Sequence, residues 1–84
     1  MTFVDPNETS CCQVSLLEPT GICIDAHGDI LIGDKEGYRV LKFAPNGLLL
    51  KTLKISCQPV GIKYVEGVLY VADFLTKKVL GYKI

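Results

Sequence analysis

Two short stretches of the chain place cationic side chains beside an aromatic ring. The first stretch holds Lys35, Tyr38 and Arg39, and the second holds Phe74, Lys77 and Lys78. Lysine and arginine bind phosphate groups, and an exposed ring offers a face on which a nucleic acid base can stack. The two stretches are therefore candidates for one contiguous patch that binds RNA. The residues alone favour a simpler interpretation, in which Arg39 and Lys78 are solvated charges that flank strands and Phe74 packs locally.

The residues that usually carry catalysis are scarce. The only histidine, His27, stands beside Gly28 in a turn pattern, so no Ser/His/Asp set is expected. The cysteines contain no CxxC pair, which argues against a zinc site and predicts free thiols at Cys11, Cys12, Cys23 and Cys57. No phosphate-binding loop of the GK(S/T) type occurs. We therefore expect no catalytic residue, no metal ion and no cofactor in this chain.

The charges are balanced overall but unevenly distributed. The formal net charge of the 84 residues is zero, which gives no support to general nucleic acid binding. Residues 1–36 carry a balance of −6, and residues 37–84 carry +6. Such a dipolar chain favours head-to-tail association between copies, although solvation of both sets of charges is the more ordinary interpretation. No signal peptide and no apolar run of membrane-spanning length occur, so a cytoplasmic location away from membranes is expected.

Short apolar stretches bounded by Gly, Pro, Asn and Asp recur along the chain, whereas the spacing of an amphipathic helix is nearly absent. The pattern predicts strands at residues 21–25, 29–33, 38–43, 48–55, 61–65, 68–72 and 78–84, with a further one at 13–17. Glycine-containing turns at residues 26–28 and 66–67 connect neighbouring strands as hairpins. We therefore predict an all-β fold of antiparallel meander sheets.

An internal repeat organises these strands. Pro19 matches Pro59 and Gly21 matches Gly61, each at a spacing of 40 residues. After the first turn the spacing is 39, and Asp34 matches Asp73. A period near 40 with short strands in each unit is typical of β-propeller blades. Proline sets φ where the first strand starts, glycine permits close backbone approach, and aspartate accepts bonds from loop N–H groups. These six residues are therefore expected to be structural.

The two copies read PTGICIDAHGDILIGDKEGYRVLKF and PVGIKYVEGVLYVADFLTKKVLGYKI. They resemble the NHL repeat, whose motif runs P-x-G-I, a glycine turn, a strand that ends in V-A-D, and R-(I/V)-x-x-F. The first copy departs from it at Gly33 and the second at Lys78. The likeness to NHL proteins of the tripartite-motif type implies a non-catalytic propeller that binds proteins or single-stranded RNA. It divides the chain into an N-terminal segment at 1–15, which is a candidate for the outer strand of a preceding blade, a first blade at 16–57 and an incomplete second blade at 58–84.

The resemblance also implies a larger assembly, because an NHL propeller usually closes with six blades. Three explanations stay open, which are a fragment of a longer protein, a trimer that closes a six-bladed ring, and a stable pair of sheets. The expected function of the completed ring is a scaffold for a protein partner or for single-stranded RNA. The alternatives are a fragment of a propeller lyase or lactonase, with its catalytic residues outside this chain, and a self-assembling structural piece.

Overall fold

The computed structural model describes residues 15–84 in full and residues 2–4 and 10–13 as backbone. The strands are β1 (Thr2–Val4), β2 (Ser10–Gln13), β3 (Pro19–Ile24), β4 (Ile30–Asp34), β5 (Arg39–Phe43), β6 (Leu49–Lys54), β7 (Pro59–Val65), β8 (Val68–Asp73) and β9 (Val79–Lys83). The described residues contain no helix, so the predicted all-β class is confirmed. Accordingly, no described segment is a helix long and apolar enough to cross a membrane.

The strands form antiparallel sheets in which sequence neighbours pair. The first sheet has the order β3-β4-β5-β6, and the second has the order β7-β8-β9. Strands β1 and β2 pair with each other in a separate two-stranded sheet. Each of the two larger sheets is a meander, as the sequence predicted, and the pair is consistent with propeller blades.

One predicted strand is wrong. The stretch 13–17 was expected to be extended and paired, but β2 ends at Gln13 and residues 15–17 are irregular. Residue 14 lies outside the described residues. The backbone N–H of Leu17 donates instead to a carboxylate oxygen of Asp34, so this segment is a connection held by a side chain. An apolar pair such as Leu16-Leu17 imitates a strand when the competing hydrogen bond comes from a distant residue.

The repeat is visible in the backbone as well as in the sequence. Gly28 and Gly67, which match at a spacing of 39, adopt φ values of 81° and 85° in the two hairpin turns. Tyr38 and Lys77, which also match at 39, adopt φ values of 51° and 61°. Positive φ is uncommon for residues with a side chain, so its recurrence at one repeat position shows that the two loops follow a similar path.

The two larger sheets pack face to face, and their contact forms the main core. Gly21 of β3 stands so close to β7 that an added Cβ would lie 3.2 Å from the backbone nitrogen of Ile62. Beyond this contact, buried side chains from both sheets meet in one cluster, whose members are Leu31, Val40, Cys57, Leu69 and Val71. Burial of apolar area on this scale is the dominant stabilising term in small domains. A second cluster of Ile32, Leu41 and Phe43 lies on the opposite face of the first sheet.

We predict that Leu31→Ala destabilises the protein by about 3 kcal/mol, because it leaves a cavity at the contact between the sheets. The matched control is Leu48→Ala, since Leu48 is 60% exposed. The control is expected to change the free energy of unfolding by less than about 0.5 kcal/mol. Urea unfolding followed by circular dichroism measures both, and equal losses would show that the sheets do not share a core at Leu31.

Candidate functional site

Three of the predicted binding residues meet at one end of the two sheets. Lys35 lies in the loop between β4 and β5, whereas Phe74 and Lys77 lie in the loop between β8 and β9. The ammonium nitrogens of Lys35 and Lys77 are each 3.9 Å from the centre of the Phe74 ring. The ring remains 42% exposed. We call these three residues the lysine–phenylalanine patch.

The repeat explains why the patch forms. Lys35 and Phe74 occupy the same position in their respective copies, directly after a strand that ends in aspartate at Asp34 or Asp73. The Lys35 N–H donates to the carbonyl of Glu18 (2.9 Å), and the Phe74 N–H donates to the carbonyl of Gln58 (2.8 Å). Because the two sheets pack face to face, with β3 against β7, equivalent positions become neighbours, and a cation from one copy reaches the ring of the other.

Asp34 holds the first of these loops. Its buried carboxylate accepts hydrogen bonds from the backbone N–H groups of Leu17 (3.2 Å) and Glu18 (2.7 Å). It also accepts one from Nε of Arg39 at 2.9 Å. The carboxylate therefore joins the start of β3, the end of β4 and the start of β5.

Asp73 holds the second loop with a different set of donors. Its carboxylate accepts from the N–H groups of Gln58 (2.9 Å), Leu75 (3.1 Å) and Thr76 (3.2 Å), and from the Thr76 hydroxyl (2.7 Å). The side-chain donor to the carboxylate is therefore Arg39 in the first copy and Thr76 in the second.

The other predicted binding residues are arranged differently. Arg39 is bound to the Asp34 carboxylate and lies 3.5 Å from the Ser15 carbonyl through NH2, so its guanidinium faces inward. Tyr38 is 40% exposed, and Lys78 is exposed directly before β9. Lys35 is also 3.8 Å from the Glu18 carboxylate. The patch therefore combines one lysine anchored to Glu18 with Lys77, which is more open to solvent.

The pKa of both aspartates is lowered. Burial by itself would raise the pKa of Asp34, but hydrogen bonds from the Glu18 N–H and Arg39 outweigh it and hold the pKa below 3.8. At Asp73, desolvation is likewise outweighed by hydrogen bonds from Thr76 and Gln58, which lower its pKa. Both groups are therefore carboxylates at neutral pH and act as acceptors only.

Three structural residues were missed by the sequence reasoning. The Thr20 hydroxyl donates to the carbonyl of Pro59 at 2.6 Å and so connects the two sheets. Asp25 accepts from the N–H groups of His27 and Asp29 (both 2.9 Å) and closes the first hairpin. Thr76 is the third. An aspartate two residues before a turn position is a known signal for an Asx turn, so Asp25 was recognisable, whereas the contact of Thr20 depends on the packing of distant strands.

The thiols and acids show no cluster of the kind that holds a metal. Within residues 15–84, no group of three His, Cys, Asp or Glu side chains lies close enough together to bind an ion. Cys23 and Cys57 are free thiols, while the side chains of Cys11 and Cys12 fall outside the described residues. The Cys57 sulfur lies 3.6 Å from the Tyr82 hydroxyl, and this contact, with burial, raises the pKa of Tyr82 to about 12. The pair is part of the core.

Comparison with known proteins supports the first copy of the repeat. The family model described as NHL repeat matches residues 16–43, which include β3, β4 and β5. No match to a curated protein was found. The match indicates a propeller-type protein-interaction module. The second copy of the repeat and the likeness to the tripartite-motif type lie outside it and stay predictions.

We predict that the stabilisation provided by Asp34 is lost in acid. Because its pKa in the folded protein is lowered, the contribution is complete above the ordinary carboxyl pKa of 3.8 and declines as the pH falls through the folded value. Asp34→Asn is expected to cost about 2 kcal/mol at pH 7, since an amide accepts these hydrogen bonds less well. The difference from wild type should narrow towards pH 2.5.

Urea unfolding at a series of pH values measures this difference. Glu36→Gln serves as the control because it removes an exposed carboxylate from the same loop. A gap between wild type and Asp34→Asn that stays constant down to pH 2.5 would contradict the assigned role of the charge.

Proposed function

We propose that this protein is a non-catalytic recognition module that binds an acidic segment of a protein partner through the lysine–phenylalanine patch. The observation that carries the proposal is the position of the two ammonium groups, each 3.9 Å from the Phe74 ring centre. The match to the NHL repeat supports it, because that repeat suggests a protein-interaction module.

The energetics of the patch favour a carboxylate ligand. Two ammonium groups on one ring repel each other, and each gains only about 0.5–1 kcal/mol from an exposed ring. A carboxylate that approaches Lys77 relieves the repulsion and leaves the contact with the ring in place. The ammonium group of Lys35 is already 3.8 Å from the Glu18 carboxylate within the chain. Lys77 is therefore the lysine of the patch that is left to bind a carboxylate of the partner.

Single-stranded RNA is the second candidate, and Tyr38 is the observation that favours it. Tyr38 is 40% exposed and lies three residues after Lys35, so a base could stack on its ring while Lys35 and Lys77 bind phosphates. Phe74 suits this role less well, because a base that stacks on its ring must displace an ammonium group. The acidic peptide is therefore the first proposal.

Binding is tested by fluorescence anisotropy with two labelled probes, a ten-residue glutamate peptide and a ten-residue uridine RNA. We expect Lys77→Glu to weaken peptide binding about tenfold, because it reverses one of the two charges at the patch. The matched control is Lys51→Glu, which makes the same change at an exposed residue of β6.

The outcomes separate the candidates. Equal losses in Lys77→Glu and Lys51→Glu would show that only net charge matters and would remove the patch from the proposal. RNA binding that Tyr38→Ala abolishes, with no binding of the peptide, would support the second candidate instead.

A further inference from the structure

The contact between the two larger sheets uses only one face of each. In the first sheet, this face carries Gly21, Leu31 and Val40, and in the second it carries Ile62, Leu69 and Val71. Alternate residues of the same strands point the other way. Each sheet therefore has an outward face that lies opposite to the shared core.

The two outward faces contain the repeat equivalents of the residues in the core. The back face, on the second sheet, consists of Gly61, Lys63, Tyr70, Ala72 and Val79. The front face, on the first sheet, consists of Leu16, Ile22, Ile24 and Ile32. Gly61 is the equivalent of Gly21, and Ile22 is the equivalent of Ile62. The two faces thus carry the residue types of the contact that already exists inside the chain. On the front face, Ile22 and Ile24 of β3 are exposed, whereas Ile32 is already buried within the chain.

Exposure of apolar side chains marks both faces. Ile22 is 65% exposed on the front face, and Val79 is 68% exposed on the back face. A cavity of about 340 Å³ lies beside Ile22, and one of about 300 Å³ lies beside Gly61. Exposed apolar side chains that cluster on one face beside a groove indicate a surface that another molecule covers.

Gly21 and Gly61 differ in what an added Cβ would contact, and the difference indicates what kind of surface covers the back face. A Cβ at Gly21 would meet the Ile62 nitrogen at 3.2 Å, so glycine is needed there for close backbone approach. A Cβ at Gly61 would meet no described atom within 4 Å. Glycine inside a strand weakens the strand and often marks a site where another backbone approaches closely. Gly61 therefore suits a close contact whose partner is not among the described residues.

We propose that the back face binds the front face of a second copy of this chain, head to tail. In this arrangement, Gly61 takes the place of Gly21 and Ile22 of the second copy takes the place of Ile62. The contact continues the stacking of sheets that the chain already shows between β3 and β7.

One difference makes the contact between copies weaker than the contact inside the chain. The Thr20 hydroxyl donates across the internal junction to the Pro59 carbonyl at 2.6 Å. The equivalent residue on the back face is Val60, which has no hydroxyl. Association therefore depends on concentration. Because two different faces meet, copies add in one direction and close into a ring when the rotation between them permits.

Size-exclusion chromatography with light scattering tests the proposal on the full chain. The wild-type mass is expected to rise with concentration from 9.2 kDa to a discrete multiple of it. Gly61→Val blocks the back face by adding a side chain where close approach is required, yet meets open space within the monomer. Ile22→Glu blocks the front face. Each variant alone is expected to stay monomeric, and circular dichroism checks that each is folded.

Mixing the two variants determines the geometry. Gly61→Val keeps an intact front face and Ile22→Glu keeps an intact back face, so an equal mixture is expected to form dimers and nothing larger. The control Leu48→Glu changes an exposed leucine outside both faces and is expected to associate as wild type does. Three results would overturn the proposal, which are a monomeric wild type at every concentration, a folded Gly61→Val that associates normally, and a mixture that stays monomeric.

Discussion

The structure depends on the need of two buried carboxylates for hydrogen-bond donors. Asp34 is fully buried, and a buried charge without partners would cost several kcal/mol. The backbone donors to Asp34 lie directly before β3, and its side-chain donor is Arg39 at the start of β5. The donors to Asp73 lie directly before β7 and in the loop after β8. Each carboxylate therefore determines where β3 or β7 starts relative to its neighbour, and it gives Lys35 and Phe74 their positions.

The sheet contact adds a second constraint, since two backbones come close only where a side chain is missing. Gly21 meets this condition at the junction, and the apolar residues beside it complete a core shared by both sheets. The same residue types recur one repeat later without a partner among the described residues. The described residues thus form this close contact once, at Gly21, although the residue types for it occur twice.

Much of the fold could be predicted from the sequence, because the signals are local. Alternating apolar residues, glycine turns and the pairs at a spacing of 39 or 40 act within a few residues, and they placed β3 to β9 within two residues of their observed ends. The predicted strand at 13–17 is wrong because the backbone N–H of Leu17 donates to Asp34, which lies seventeen residues away in the sequence. A hydrogen bond to a distant carboxylate does not alter the periodicity of apolar residues, so the local sequence pattern does not reveal it.

The candidate site divides along the same line. The sequence by itself determined which loops are equivalent and that cations and aromatic rings stand in them, since residue type and repeat spacing need no coordinates. Only the tertiary structure decided that Lys35 and Lys77 share the Phe74 ring while Arg39 turns inward to Asp34. The physical reason is that contacts across the junction depend on how two sheets pack, and an arginine near a buried carboxylate binds it in preference to solvent.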